Sequence, residues 1–165
     1  SQTSQISGIF FPHEIDNYCK IVKGDKYYDR YMDDTGIIFD SKEKAYQRYY
    51  EIEGICNKLG IFINHKKTQI LPLTSCIPFL KINYYITDTG GLIKKVNSET
   101  FRRERRKIVK FTHLLSNNII TINEVINCYK SWRGTYSKFD SGYEIFKIDK
   151  FVIETLGLDP NIKFY

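Results

Sequence analysis

The chain has 165 residues, enough for one hydrophobic core or for a core with a smaller second unit. Hydrophobic residues make up 42% of it, which excludes a disordered chain, and no stretch approaches the roughly 20 apolar residues of a membrane span. Its cysteines contain no C-x-x-C pair, so they predict neither a zinc site nor a disulfide framework and favour a reducing cytoplasm.

The net charge of +6 is concentrated in one segment. Residues 94–110 contain eight basic and two acidic side chains, so the rest of the chain is neutral overall. A localised field of one sign favours a polyanionic partner such as nucleic acid. The alternative is a solvated helix face whose charges pair at i,i+4 spacing.

The first elements are predicted from apolar periodicity. Residues 3–22 follow a helical rhythm that Pro12 is expected to bend or interrupt. Segments 27–32 and 35–39 are rich in aromatic and β-branched side chains, and they predict a β-hairpin with two neighbouring aspartates at its tip.

Residues 40–43 resemble a capping box and predict a helix that runs to about Leu59 and is ended by Gly60. Short strands are then expected in three segments, the last of which turns into residues 92–93: residues 61–63, 68–71 and 77–86.

From about residue 96 the pattern is entirely helical. One helix starts near Ser98, a second follows a capping box at Thr121, and a third ends at Gly157. We therefore predict an α+β fold in which residues 1–95 form an antiparallel sheet with helices and residues 96–165 form a three-helix domain.

Asp33 and Asp34 are the strongest candidates for chemistry. Two adjacent carboxylates at a turn repel each other and cannot be buried unpaired, and a divalent cation resolves this conflict. Hard oxygen ligands suit Mg²⁺. The alternative is an ordinary Asp-Asp turn, which is common on protein surfaces.

The residues around the aspartates resemble those of the reverse transcriptases. Tyr31-Met32-Asp33-Asp34 between two apolar strands resembles the Tyr-x-Asp-Asp hairpin of that family. Residues 59–68 resemble its L-G-hydrophobic-N-x-x-K-T segment, and Phe79-Leu80-Lys81 with residues 87–90 resembles its primer-grip hairpin. Residues 129–134 resemble the thumb of bacterial retroelement enzymes, which include diversity-generating retroelement, group II intron-like and retron-like enzymes.

The resemblance implies that residues 1–95 are the C-terminal part of a polymerase palm and that residues 96–165 are the thumb. Ser4-Gln5 resembles the template-side segment, and its Ser-Gln form is similar to the diversity-generating class. The family's further catalytic aspartate and its nucleotide-binding fingers have no counterpart here. We therefore expect the chain to be part of a longer enzyme and to be inactive alone.

For that enzyme, the resemblance implies RNA-directed DNA polymerase activity on an RNA template, with a DNA or RNA primer, deoxynucleoside triphosphates and two Mg²⁺ ions, or Mn²⁺ in their place. Asp33 is expected to be the main metal ligand and Asp34 a peripheral one. Lys67 is expected to protonate the leaving pyrophosphate.

The remaining candidates bind substrates. Template or nucleotide contacts are expected from Ser4, Gln5, Tyr31 and Met32. Primer contacts are expected from Phe79, Leu80 and Lys81. Contacts with the phosphates of the hybrid are expected from Arg102, Arg103, Arg105, Arg106 and Lys107.

Several of these residues have simpler interpretations. Tyr31 and Met32 could pack in a strand, and Lys67 could lie in a solvated loop. Gln5 could cap its helix, and Phe79 and Leu80 could belong to the core of the sheet. Trp132 fits an apolar helical stripe and is expected in the core. As a whole, the chain could also be a noncatalytic nucleic-acid-binding module with the palm and thumb shape.

Overall fold

A computed structural model describes residues 2–164, with side chains from Ile6 onward. The chain forms two compact units, Ser1–Pro72 and Leu73–Tyr165. Both contain helices and a small antiparallel sheet, which confirms the predicted α+β class. This division lies before the predicted palm and thumb boundary near residue 95, and it groups the later strands with the helices that follow them. The assignment of palm and thumb stays a prediction.

The first unit begins with helices α1, Gln2–Phe10, and α2, His13–Asn17, followed by a π-helical turn at Tyr18–Val22. Pro12 caps α2 and separates it from α1, as the sequence predicted. Strands β1, Tyr28–Tyr31, and β2, Asp34–Ile37, then pair as the predicted hairpin.

Helix α3, Lys42–Leu59, completes this unit. The Ser41 hydroxyl accepts a hydrogen bond from the Lys44 amide at 3.3 Å, and Gly60 ends the helix with φ of 72°. A small core joins α2, the π-helical turn, β1 and α3 through the buried side chains Ile15, Cys19, Tyr28 and Cys56.

Two predicted strands do not form. Residues 61–63 and 68–71 carry β-branched side chains, but the chain between them turns at Asn64, whose carbonyl accepts from the amides of Lys67 and Thr68 at 2.9 and 3.0 Å. The predicted strand 77–86 is likewise two strands, because Leu80 and Lys81 form a turn with φ of 49° and 69°.

The second unit consists of a three-stranded sheet and three helices. The sheet has the order β3, Ile77–Phe79, β4, Ile82–Ile86, and β5, Leu92–Val96. The helices are α4, Ser98–Ser116, α5, Ile122–Tyr136, and α6, Gly142–Leu156. The predicted capping box at Thr121 is present, and Gly157 ends α6 in the left-handed conformation.

The last strand is fastened to the turn before α6. The Lys94 amide donates to Asp140 Oδ2 at 2.9 Å, and the Val96 amide donates to the buried Ser141 hydroxyl at 2.8 Å. These bonds explain why the sheet belongs with the helices and not with the earlier hairpin.

The core of the second unit centres on Ile108, Tyr129, Ile148 and Val152. Trp132 stacks on Tyr129 with ring centroids 5.7 Å apart, so its predicted place in the core is confirmed. No helix built from residues 2–164 combines the length and apolarity needed to cross a membrane.

Candidate functional site

The carboxylate hairpin turns through two residues, Met32 and Asp33. Tyr31 pairs with Asp34 across the turn, so Asp34 is the first residue of β2 and Asp33 lies in the loop itself. Both aspartates are exposed, and within the described residues neither carboxylate makes a hydrogen bond or an ion pair. The tip therefore presents two free carboxylates to solvent.

The two faces of the hairpin differ in character. Residues paired across an antiparallel sheet share a face, so Tyr28 and Ile37 lie on one face and Tyr31 and Asp34 on the other. Tyr28 is buried, whereas Tyr31 is 59% exposed. Asp34 therefore lies on the solvent face beside an accessible phenol ring.

Met32 adopts an unusual backbone conformation at the tip. Its φ is 56°, the left-handed region that two-residue hairpin turns normally assign to glycine or asparagine. A residue with a side chain adopts this conformation at a cost of about 1–2 kcal/mol, so the conformation persists only where surrounding contacts fix the backbone.

Arg30 supplies those contacts. Its Nη1 donates to the Met32 carbonyl at 2.7 Å, and its Nη2 donates to the Ile9 carbonyl at 3.0 Å. The guanidinium also pairs with Asp16, with Nε 2.7 Å from Oδ1 and Nη2 bonded to Oδ2. Only 10% of the Arg30 side chain is exposed. We call this arrangement the Arg30 clamp, and it joins α1, α2 and the hairpin turn.

Asp16 is the anionic centre of the clamp. The hydrogen bond from Arg30 is the main cause that lowers the Asp16 pKa, and a bond from the Tyr28 hydroxyl at 2.5 Å adds to it. Burial raises the pKa of Tyr28, so that phenol stays a donor. The sequence did not single out Arg30, and it placed Asp16 in a helix without a function. The signal that could have found the pair is an arginine one residue before the Tyr-Met-Asp-Asp stretch.

Lys67 lies in the turn that follows α3. Its side chain is exposed and, within residues 2–164, makes no hydrogen bond or ion pair. The loop is fastened to α3 by His65, whose Nδ1 lies 2.8 Å from the Tyr49 hydroxyl. The Lys67 ammonium is therefore accessible to an anion. Its role as the donor of a proton to pyrophosphate stays a prediction.

The predicted primer-grip residues form the tip of the β3–β4 hairpin. Phe79 is half-buried in β3, while Leu80 and Lys81 make the turn and are exposed. The Lys81 carbonyl accepts from the Asn97 amide at 2.9 Å, which holds this tip next to the start of α4.

Helix α4 carries the basic residues on several sides. Arg102 and Arg106 lie one turn apart, and Glu99 pairs with both, at 3.7 and 2.5 Å. Arg103 is exposed and has no partner among the described side chains. Arg105 lies over the ring of Phe151, with its guanidinium carbon 5.5 Å from the ring centroid.

Lys107 has a different environment from the arginines. It is half-buried, and its Nζ lies 3.8 Å from Oε1 of the buried Glu104. That oxygen accepts no hydrogen bond within the described chain, and burial raises the Glu104 pKa. Glu104 was not singled out from the sequence. The available signal is its spacing, three residues after Phe101 and four before Ile108, which places it on the buried face of α4.

Residues 129–134, which were predicted to belong to a thumb, lie in α5 and bond to α6 through their side chains. The Tyr129 hydroxyl donates to Asp149 at 2.6 Å, and Arg133 Nε lies 3.0 Å from the same carboxylate. The side chains of Ser4 and Gln5 lie outside the described part of the chain, so their predicted template contacts have no structural description.

The donor chemistry of the hairpin tip suits a hard cation, since both exposed groups are carboxylates. Among residues 2–164, no group of three or more His, Cys, Asp or Glu side chains is arranged to hold a metal ion. A metal site at the tip would need further ligands besides Asp33 and Asp34. Comparisons of the chain with protein-family models, with curated proteins and with solved structures find no match.

Proposed function

We propose that the chain is the C-terminal part of the palm and the thumb of a reverse transcriptase of the bacterial retroelement type. The observation that carries the proposal is the two-residue turn of Tyr31-Met32-Asp33-Asp34, which presents two unpaired carboxylates at the end of a clamped hairpin. An ordinary surface turn does not require a methionine with positive φ whose carbonyl is held by a largely buried arginine.

In this proposal Asp33 is the main metal ligand and Asp34 a peripheral one, with the other ligands supplied by other residues of the longer enzyme and by substrate phosphates. Asp33 and Asp34 would hold Mg²⁺, or Mn²⁺ in its place, and the ion would supply positive charge to the phosphates during nucleotidyl transfer. In the reaction the primer 3′-hydroxyl loses its proton to solvent and its oxygen bonds to the α-phosphorus of a deoxynucleoside triphosphate. The bond from the α-phosphorus to the bridging oxygen breaks, and pyrophosphate leaves.

The residues of the chain bind and orient the reactants. Tyr31 and Met32 stand next to the carboxylates and contact the incoming nucleotide or the primer end. Lys67 donates a proton to the pyrophosphate oxygen as it leaves, a task suited to an exposed ammonium without a partner.

Nucleic acid is gripped by two further elements of the proposed enzyme. The turn at Leu80 and Lys81, with Phe79 before it, contacts the primer backbone. The arginines of α4 contact phosphates along the RNA/DNA hybrid without reading its sequence.

The test is primer extension by the whole polypeptide that contains this chain, on poly(rA) annealed to oligo(dT), with dTTP and Mg²⁺. Asp33→Asn should abolish extension, because it removes a charged metal ligand. Asp29→Asn is the matched control, since Asp29 is an exposed aspartate of the same hairpin, and it should retain extension. Normal extension by a folded Asp33→Asn variant would remove the assignment.

A noncatalytic nucleic-acid-binding module is the second candidate. It is favoured by α4, since exposed arginines contact phosphates without any metal. Tight binding of an RNA/DNA hybrid by the whole polypeptide, with no extension in Mg²⁺ or Mn²⁺, would support this candidate over the polymerase.

A further inference from the structure

Helix α6 exposes aromatic and basic side chains on the side opposite to its core contacts. Ile145, Ile148 and Val152 face the core and are buried. Tyr143 and Phe146, by contrast, are 66% and 51% exposed. Two aromatic side chains with this much exposure on one helix form an apolar patch that a helix face in contact with water alone does not need.

Each exposed ring has a lysine one helical turn further along. The Lys147 ammonium lies 4.2 Å from the Tyr143 ring centroid, and the Lys150 ammonium lies 4.8 Å from the Phe146 centroid. We call these four residues the α6 stripe. It alternates rings and cations in two adjacent rows of the helix surface.

The α6 stripe continues toward the basic helix α4. Phe151 follows Lys147 by one turn, and Arg105 of α4 lies over the Phe151 ring. From Tyr143 to Phe151 the helix rises about 12 Å, at about 1.5 Å per residue. At about 3.4 Å per phosphate of one strand, this length matches about three to four nucleotides.

We propose that the α6 stripe binds single-stranded nucleic acid, with bases stacked on Tyr143 and Phe146 and phosphates contacted by Lys147 and Lys150. Single strands offer both a π-face and a negative charge at each unit, the two features that the stripe recognises. Helix α6 also contains three acidic residues, Glu144, Asp149 and Glu154. Asp149 is paired with Arg133, and within the described residues neither Glu144 nor Glu154 forms an ion pair with Lys147 or Lys150. Binding by the four residues of the α6 stripe does not depend on the proposed function. Only a further phosphate contact by Arg105 rests on it.

The test uses the chain itself and two fluorescent oligomers of about 12 units, oligo(dT) and an abasic deoxyribose phosphate of equal length. Fluorescence anisotropy should show tighter binding of oligo(dT). The double variant Tyr143→Ser/Phe146→Ser should lose about tenfold or more in affinity for oligo(dT) and little for the abasic oligomer. Lys147→Gln/Lys150→Gln should weaken both and reduce the slope of log affinity against log salt by about 1.4.

Tyr46→Ser on α3 is the matched control. Tyr46 is 41% exposed and has Lys42 over its ring at 5.7 Å, but within its described residues α3 carries no second pair of a cation and a ring that both belong to this helix. It should bind oligo(dT) within about twofold of the unmodified chain. Trp132 fluorescence during urea unfolding checks that the α6 variants stay folded, and far-UV circular dichroism during urea unfolding checks Tyr46→Ser in the first unit.

The proposal is overturned if the Tyr143→Ser/Phe146→Ser variant binds oligo(dT) like the unmodified chain, or if it loses both oligomers equally. Binding of vesicles rich in phosphatidylglycerol without binding of either oligomer would also overturn it and would assign the stripe to lipid. Failure of this proposal is distinguishable from failure of the proposed function, since the binding assay involves no polymerisation.

Discussion

Arg30 Nη1 donates a hydrogen bond to the carbonyl oxygen of Met32 at 2.7 Å. Arg30 belongs to β1 and Met32 is the first residue of the turn, so this bond fixes the loop from inside its own hairpin. The other end of the guanidinium is held by Asp16. The positive φ of Met32 is thus supported by an ion pair that reaches back to α2.

Replacing Arg30 with methionine should lower the free energy of unfolding of the first unit by about 2 kcal/mol. The change leaves Asp16 without its cation and leaves the Met32 carbonyl without its donor. Urea unfolding followed by far-UV circular dichroism measures the effect. Arg103→Met, which removes an exposed arginine from α4, is the control and should change stability by less than about 0.5 kcal/mol. An equally small effect of Arg30→Met would contradict the clamp.

Met32→Gly should stabilise the hairpin or leave it unchanged, because glycine adopts positive φ without the steric cost. The expected gain is up to about 1 kcal/mol, reduced by the greater backbone freedom of unfolded glycine. Met32→Val should instead cost about 1–2 kcal/mol, because a β-branched side chain is least compatible with this conformation. The urea midpoints of the unmodified chain, Met32→Gly and Met32→Val give their order of stability. A Met32→Val variant that is more stable than Met32→Gly would contradict this prediction.

Local signals predicted most of the elements. Pro12 interrupts the first helix, Gly60 and Gly157 end two others, and Thr121 opens α5 through a capping box, all as the sequence predicted. Such signals act within a few residues, so they can be read from the chain directly. The hairpin at Asp33 was equally accessible, because its strands are adjacent in sequence.

Features that depend on distant residues were not predicted. The Arg30 clamp joins residues 14 positions apart, and nothing local distinguishes Asp16 from other helical acids. One local feature, the turn at Leu80 and Lys81, was also not predicted, because neither residue favours positive φ. Residues 61–71 carry strand-forming side chains but lack a pairing strand, and strand propensity alone does not reveal this.

Glu104 should make the second unit less stable as the pH rises. Burial raises the Glu104 pKa above the usual value of 4.5, and Lys107 offsets this in part. The unfolded chain therefore loses this proton first, so the unfolding free energy is highest below about pH 4.5 and falls until the pH passes the raised pKa. Glu104→Gln should abolish this fall and add about 1 kcal/mol at pH 7.

Urea unfolding followed by Trp132 fluorescence between about pH 4 and 8 tests this expectation. The exposed Glu154 on α6 provides the control, since Glu154→Gln should leave the pH dependence as it is. Identical pH profiles for Glu104→Gln and the unmodified chain would show that the Glu104 carboxylate is not responsible.

Glu99 should limit nucleic-acid binding by α4, because it pairs with both Arg102 and Arg106. Glu99→Gln should tighten binding of an RNA/DNA hybrid by a few fold at low salt. Arg102→Gln/Arg106→Gln should weaken binding and reduce the slope of log affinity against log salt by about 2. Anisotropy titrations over a range of salt measure both. An unchanged slope in the arginine variant would exclude these residues from the phosphate contacts.

Cation binding at the hairpin can be tested on the chain itself. Mn²⁺ broadens NMR signals near its site, so a low concentration should broaden the amide resonances of Asp33 and Asp34 before those of other exposed acids such as Glu154. Excess Mg²⁺ should restore them, because both ions prefer carboxylate oxygen. Asp33→Asn should remove the selective broadening, while Asp29→Asn on the same hairpin should not. Two ligands bind weakly, so the affinity should be in the millimolar range or weaker. Broadening that is no stronger at Asp33 than at Glu154 would mean that the tip has no preference for divalent ions, and the metal role of these carboxylates would fail.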